Sequence, residues 1–209
     1  MYLKPNVMKK FFLLLAAVSG LLAVQAQKHV EFKWHRMYGV AGYEFTTNIN
    51  SIYFDLDEGA NIEYGTKASM HGVYAICGWQ IRKESGIGLG VEFMKDMAGG
   101  LSQLPVFVEV RSHYLRNQVT PYTSLYVGYS IPLGFSGSGA TYTKIETGGP
   151  TAGVNVGARY AFNRKMGVSA HLGYQLIALR RVGLYNDGAL NIAQPVTLHN
   201  FKFGVGFNF

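Results

Sequence analysis

From about Met37 onward, apolar and polar residues alternate with a period of two, the repeat of a strand and not of a helix. In Gly86–Phe93, Ile87, Leu89, Val91 and Phe93 share one face, and Gly86, Gly88, Gly90 and Glu92 share the other. In Leu104–Tyr114 the apolar face is Leu104, Val106, Val108, Val110 and Tyr114, against Phe107, Glu109, Arg111 and His113. The same rhythm runs through Ser69–Ile81, Thr120–Ile131, Thr151–Phe162, Gly167–Arg181 and Phe201–Phe209. A first strand over about Met37–Thr47 is the least regular, and Glu44 predicts that Tyr43 and Phe45 face away from it.

These segments predict eight strands, long for a soluble sheet and suited to tilted membrane strands. The connections alternate between long and short. Asn48–Lys67, Met97–Gln103, Pro132–Pro150 and Val182–Pro195 read as loops, whereas Arg82–Ser85, Leu115–Val119 and Asn163–Met166 read as tight turns. The less apolar face is mostly glycine, serine and tyrosine with few charges. A soluble sandwich would carry a richly charged face there, whereas a narrow barrel leaves little room inside. The fold expected is therefore all-β: an eight-stranded antiparallel transmembrane β-barrel with short periplasmic turns and longer external loops.

Composition agrees. Charged residues are 15% and apolar ones 48%, with 26 glycines. Soluble globular chains carry about 25% charge. The first residues form a separate object. Lys9 and Lys10 precede the apolar run Phe11–Leu22, and Val24-Gln25-Ala26 is a small-x-small cleavage pattern. Residues 1–26 therefore read as a signal peptide and 27–209 as the barrel domain. The run is short of the roughly 20 residues a spanning helix needs. Removing Lys4, Lys9 and Lys10 with the leader takes the basic residues from 19 to 16 against 12 acids, a net charge near +4. That weakens any nucleic-acid reading, and no nucleic-acid partner is expected. Cys77 is the single cysteine, so no internal disulfide forms.

The last strand, Phe201–Phe209, places Phe201, Phe203, Val205, Phe207 and Phe209 on one face, opposite Lys202, Gly204, Gly206 and Asn208. It resembles the C-terminal assembly signal of bacterial outer-membrane barrels. With the strand rhythm, the chain looks like the small eight-stranded OmpA/OmpX-like barrels and the PorT-like barrels of Bacteroidetes type. The resemblance implies the outer membrane of a Gram-negative bacterium, after signal-peptide cleavage. Its implied partners are outer-membrane lipid, lipopolysaccharide and the barrel-assembly machinery. A monomer is expected.

Candidate chemistry falls in three places. Glu44, Glu92, Glu109, Arg111, Arg159 and Lys202 have lumen parity, three acids against three bases, and predict a paired internal network. Within it Glu92 is expected to join Glu109 and Arg111 from the neighbouring strand. Lys95, Arg180 and Arg181 sit at the external ends of their strands, where cations can reach lipopolysaccharide phosphate or snorkel generically. Ser169 and His171 share the lumen face, turned away from a lipid substrate, so no catalytic residue is assigned. Asp55, Asp57, Glu58, Asn61 and Glu63 offer oxygen ligands without EF-hand spacing, and Gly134–Ala140 reads as a flexible loop and not a phosphate cradle. No metal or cofactor is expected. The role expected is non-enzymatic, structural or surface-interacting through the external loops, with an external ligand left unnamed. The alternatives are a lipid-A-modifying enzyme of acyl transfer or deacylation, and a narrow channel or small-molecule carrier.

Overall fold

The computed structural model describes residues 37–49, 52–55, 61–64, 69–82, 84–97, 102–115, 117–133, 141–163, 166–186 and 189–209. The leader at 1–26, the loop at 134–140 and the middle of the acidic stretch 55–63 lie outside them. The strands are β1 (Met37–Asn48), β2 (Ile52–Asp55), β3 (Asn61–Tyr64), β4 (Ser69–Gln80), β5 (Ser85–Asp96) and β6 (Ser102–His113). They continue with β7 (Val119–Pro132), β8 (Thr141–Thr147), β9 (Gly149–Ala161), β10 (Gly167–Asn186) and β11 (Ala189–Asn208). No helix occurs among the described residues.

Eight of these strands close an antiparallel barrel in the order β1-β4-β5-β6-β7-β9-β10-β11, with β11 returning to β1. The closing seam pairs Val40 with Asn208 and Asn48 with Asn200. Closure requires strand tilt, and the register shows how much. A perpendicular path from Phe45 through His71 and Lys95 reaches β6 at Ser102. The opposite path through Phe203, Leu172, Val156 and Thr123 reaches β6 at Ser112, ten residues further along the strand. Each strand is thus staggered by just over one residue against its neighbour.

The tight turns gather at one end. Ile81 and Arg82 both donate to the Ser85 carbonyl, and Phe162 and Asn163 donate to that of Met166. Side chains alternate strictly: in β5, Ile87, Leu89, Val91, Phe93 and Lys95 face out and Glu92, Met94 and Asp96 face in. The outward face carries Trp79, Leu125, Val127, Val156, Leu172 and the whole row Phe201, Phe203, Val205, Phe207 and Phe209. Such an apolar belt is stable against hydrocarbon and not against water.

The glycines on the inward face have a steric cause. Gly42 and Gly206 lie against the Tyr74 ring, Gly78 and Gly86 against Tyr38, Gly90 against Phe107, and Gly153 against Tyr126. A side chain at any of these sites would occupy the space of a ring. The lumen is filled by large residues from some strands and vacated by others.

At the other end the structure departs from the expected loops. Val182–Pro195 is not a loop. β10 and β11 continue as a hairpin from the barrel to Asn186 and Ala189. β8, inside the stretch read as the Pro132–Pro150 loop, pairs with the extended part of β10. β2 and β3 form a further hairpin within Asn48–Lys67. Pattern reading stopped at Arg180 and Arg181 because the alternation breaks there. The β10–β11 register shifts between Leu179 and Val182, so two consecutive arginines point outward before alternation resumes.

Candidate functional site

All six residues predicted for the lumen are buried there: Glu44, Glu92, Glu109, Arg111, Arg159 and Lys202. They form two groups. In the middle, Lys202 of β11 pairs with Glu44 of β1, and its Nζ donates to Glu92 Oε2 of β5 at 2.8 Å. His171 of β10 meets Glu44 Oε1 through Nε2 at 3.0 Å. The Lys202 ammonium also lies 5.4 Å from the centre of the Tyr126 ring, and Tyr74 packs edge-on to His171 at 5.9 Å. Three of the four members come from β10, β11 and β1, so the cluster pins the closing seam from within.

Closer to the tight turns, Arg111 Nε donates to Glu109 Oε1 at 2.7 Å. Its guanidinium stacks 4.7 Å from the Tyr122 ring centre. Arg159 and His113 line the small space beside Arg111 with Tyr38 and Asn208. Glu92 therefore does not join Glu109 and Arg111, as adjacency of strands suggested. It reaches across the lumen to Lys202, because in so narrow a barrel the opposite wall is as near as the adjacent strand.

Ser169 and His171 share a face but not a hydrogen bond. Ser169 Oγ donates to the Gly206 carbonyl at 3.4 Å and accepts from Asn208 Nδ2 at 2.9 Å. His171 is engaged by Glu44 and Ser169 by Gly206 and Asn208, so the two are not joined as a nucleophile and its base would be.

Above the ions lies a tier of neutral polar groups. Ser130 Oγ donates to Gln103 Oε1 at 2.7 Å, Gln103 Nε2 reaches Met70 Sδ at 3.4 Å, and Gln175 Nε2 reaches Thr151 Oγ1 at 3.4 Å. Above that tier the lumen turns apolar. Met70 and Met94 of β4 and β5 pack against Ile145, Ile177, Leu179, Val182, Val196 and Leu198 of β8, β10 and β11. Side chains of opposite walls meet there in a buried hydrophobic cluster, with Asp96, Asn48 and Asn200 buried at the same end. Sequence reading missed this lid because Ile145 and Val182 lie where loops were expected, and Val196 and Leu198 precede the strand read from Phe201.

On the outside, Lys95, Arg180 and Arg181 are all exposed. Arg181 Nε is engaged with Glu146 Oε2. His71, which sequence reading left unassigned, stands directly opposite Lys95 in register and tilts against Tyr43 with ring centres 6.2 Å apart. Tyr174 Oη lies 2.6 Å from His199 Nδ1 on the outer side of β10 and β11.

No protein-family model matches the chain, and no curated relative matches it in sequence. Solved structures do match. Neisserial surface protein A, NspA, aligns with a TM-score of 0.57 at 11% identity, over 83% of this chain and 96% of that one. Outer membrane protein AlkL, determined in lipid bilayers, aligns with a TM-score of 0.52 at 11% identity, over 85% of this chain and 91% of that one. The fold is that of small outer-membrane barrels.

Proposed function

We propose that the chain is an integral outer-membrane barrel that acts as a structural and surface-interaction protein, with β8, β10 and β11 carrying a presentation surface beyond the membrane. The observation that carries this reading is the filled lumen. Paired ions and aromatic rings occupy its middle, and the Met70–Met94 cluster packs across it above them. A conduit needs the opposite. The extended hairpin supplies a rigid platform for loops, where binding chemistry usually sits. Lipopolysaccharide and outer-membrane lipid are its surroundings, the barrel-assembly machinery its route, and a kinship with PorT-like barrels part of the same proposal. The lumen-facing Ser169 and His171, turned away from a lipid substrate, give no support to a lipid-A-modifying enzyme.

The test is placement together with conductance. An epitope inserted between Asn186 and Ala189 should be labelled on intact cells, and the protein should fractionate with the outer membrane. In planar bilayers it should show no stable porin-sized conductance. An epitope reachable only after the cells are opened, or a steady large conductance, would overturn the reading. Unchanged lipid A masses in a deletion strain would set aside the enzyme alternative.

A further inference from the structure

The closing cluster does not balance its own charge. Glu44 of β1 and Glu92 of β5 approach the same Lys202 nitrogen. Two carboxylates thus share one ammonium, and Glu92 lies within hydrogen-bonding reach of Glu44 itself. All three side chains are at most 6% exposed. Among the described residues, the surrounding walls bring no second cation to this level. β4 offers Tyr74, the register partner of Glu92. β7 offers Tyr126, whose ring faces the Lys202 ammonium. β6 offers Phe107, and its Glu109 and Arg111 pair with each other nearer the tight turns. β9 carries no ionisable residue from Gly149 to Gly157, and its Arg159 lies beside Arg111. Asp96 of β5 is a further buried acid, closer to the mouth. β10 contributes His171, whose Nε2 meets Glu44 Oε1 at 3.0 Å and whose Nδ1 meets no partner among the described residues. A second proton on that ring would bury an N–H without an acceptor, so the imidazole serves Glu44 as a neutral donor.

We propose that Glu44 and Glu92 hold one proton between them, carried on Glu92, and that the barrel takes up this proton as it closes. This proton site is independent of the surface role proposed above. Two like charges that meet at one nitrogen in a water-excluded space cannot both stay ionised when a single cation serves them. One bound proton brings the group to zero: an ammonium, a carboxylate, a neutral carboxyl and a neutral imidazole. Hydrogen bonding selects the carrier. Glu44 is met by Lys202 at Oε2 and by His171 at Oε1. Glu92 receives Lys202 at Oε2, and no donor among the described residues reaches its Oε1. The carboxyl with fewer donors is the better place for the proton, and its O–H can turn to Glu44. The location gives the proton a task. Glu44 and Lys202 stand on β1 and β11, which pair directly at the seam, whereas Glu92 reaches them from β5 across the lumen. Protonated, Glu92 ties the far wall to the seam. Ionised, it would leave one negative charge in excess and repel Glu44, so alkali should loosen the closure.

The test uses the full mature chain, refolded into phosphatidylcholine vesicles with isotope-labelled glutamate side chains. Infrared spectroscopy reads the C=O stretch of a neutral glutamic acid at about pH 7, where exposed glutamates are ionised. Wild type should show that signal, and the label keeps Asp96 out of it. Glu92→Gln and Glu44→Gln should each lose it, because each leaves one acid to one lysine. His171→Gln should keep it. The second measurement is denaturant unfolding as a function of pH. Above about pH 5 the unfolded chain has its glutamates ionised, so closing takes up a proton and the folding equilibrium constant should fall by up to about tenfold per pH unit. Glu92→Gln removes that proton from the balance, so its slope should be shallower by one proton and it should gain on wild type as pH rises. Should neither variant fold, as judged by heat-dependent gel mobility, the wild-type signal decides alone. No neutral-acid signal from wild type, a signal that survives in folded Glu92→Gln, or parallel pH slopes for the two would overturn the proposal.

Discussion

The middle of the lumen and its mouth solve one packing problem by opposite means. In the middle, Glu44, Glu92, Lys202 and His171 meet across β1, β5, β10 and β11. At the mouth, Met70 and Met94 meet aliphatic side chains from the far wall. Ion pairs have narrow geometric tolerance, and losing one partner leaves the other buried and uncompensated. Methionine has a flexible, polarisable side chain that fills irregular space and yields to change. The ions therefore sit where the strands must close in one register, and the methionines where strands run out of the barrel and register shifts occur. The difference suggests that the middle specifies the fold and the mouth seals it.

The largest expected effect breaks the ionic half. Lys202→Met removes the cation between two buried carboxylates, and the barrel should lose about 3–5 kcal/mol of stability in denaturant unfolding from lipid vesicles. Arg111→Met should act in the same direction by leaving Glu109 without its partner. A triple variant, Lys202→Met with Glu44→Gln and Glu92→Gln, sharpens the point. It buries no orphaned charge, so it should recover most of the loss. If it also folds into mixed registers, seen as heterogeneous gel mobility, the cluster specifies closure more than it stabilises. A triple variant as unstable as the single one would instead show that packing volume, not charge, carries the effect.

Much of the middle was legible before any coordinates. Period-two parity places Glu44, Glu109 and Lys202 on the inward face wherever alternation is unbroken, and the structure buries them there. Partnership was not legible. Glu92 reaches Lys202, 110 residues away, because the lumen is narrow enough for a side chain to span it, and no local pattern encodes that span. The lid was least legible. Val182 lies beyond a register shift, so its inward position breaks the odd-numbered lumen parity of β10 and mimics a loop, while Val196 keeps the lumen parity of β11 but precedes the strand read from Phe201. The aromatic and glycine faces fall between these cases. Glycine abundance signalled crowding, but only three-dimensional neighbours reveal that Gly206 makes room for Tyr74.

Breaking the mouth should cost less. Met94→Ala leaves a cavity among Met70, Ile177 and Leu198, and such truncations cost about 2–5 kcal/mol. The lower end is expected here because the neighbouring methionine can swing into the space. The double variant Met70→Ala, Met94→Ala should still fold and should not conduct like a porin, since the ionic tier below remains filled. A large steady conductance from it would show that the lid alone closes the lumen.

The smallest effect belongs to a pair of the same chemistry on the outside. Arg181 meets Glu146 where β10 and β8 both slip register, with side chains 53% and 18% exposed. Arg111 meets Glu109 in the lumen with side chains 4% and 2% exposed. Water screens the outer pair, and holding two long side chains in one geometry costs entropy, so it should contribute about 0–1 kcal/mol. A double-mutant cycle of Arg181→Ala and Glu146→Ala should give a coupling of that size, shrinking as salt is raised and the screening length shortens. The corresponding cycle on Arg111 and Glu109 should give a larger coupling that changes little with salt. Equal couplings at the two sites would mean that the lumen is as wet as the surface, and the contrast between a sealed interior and a solvated extension would fail.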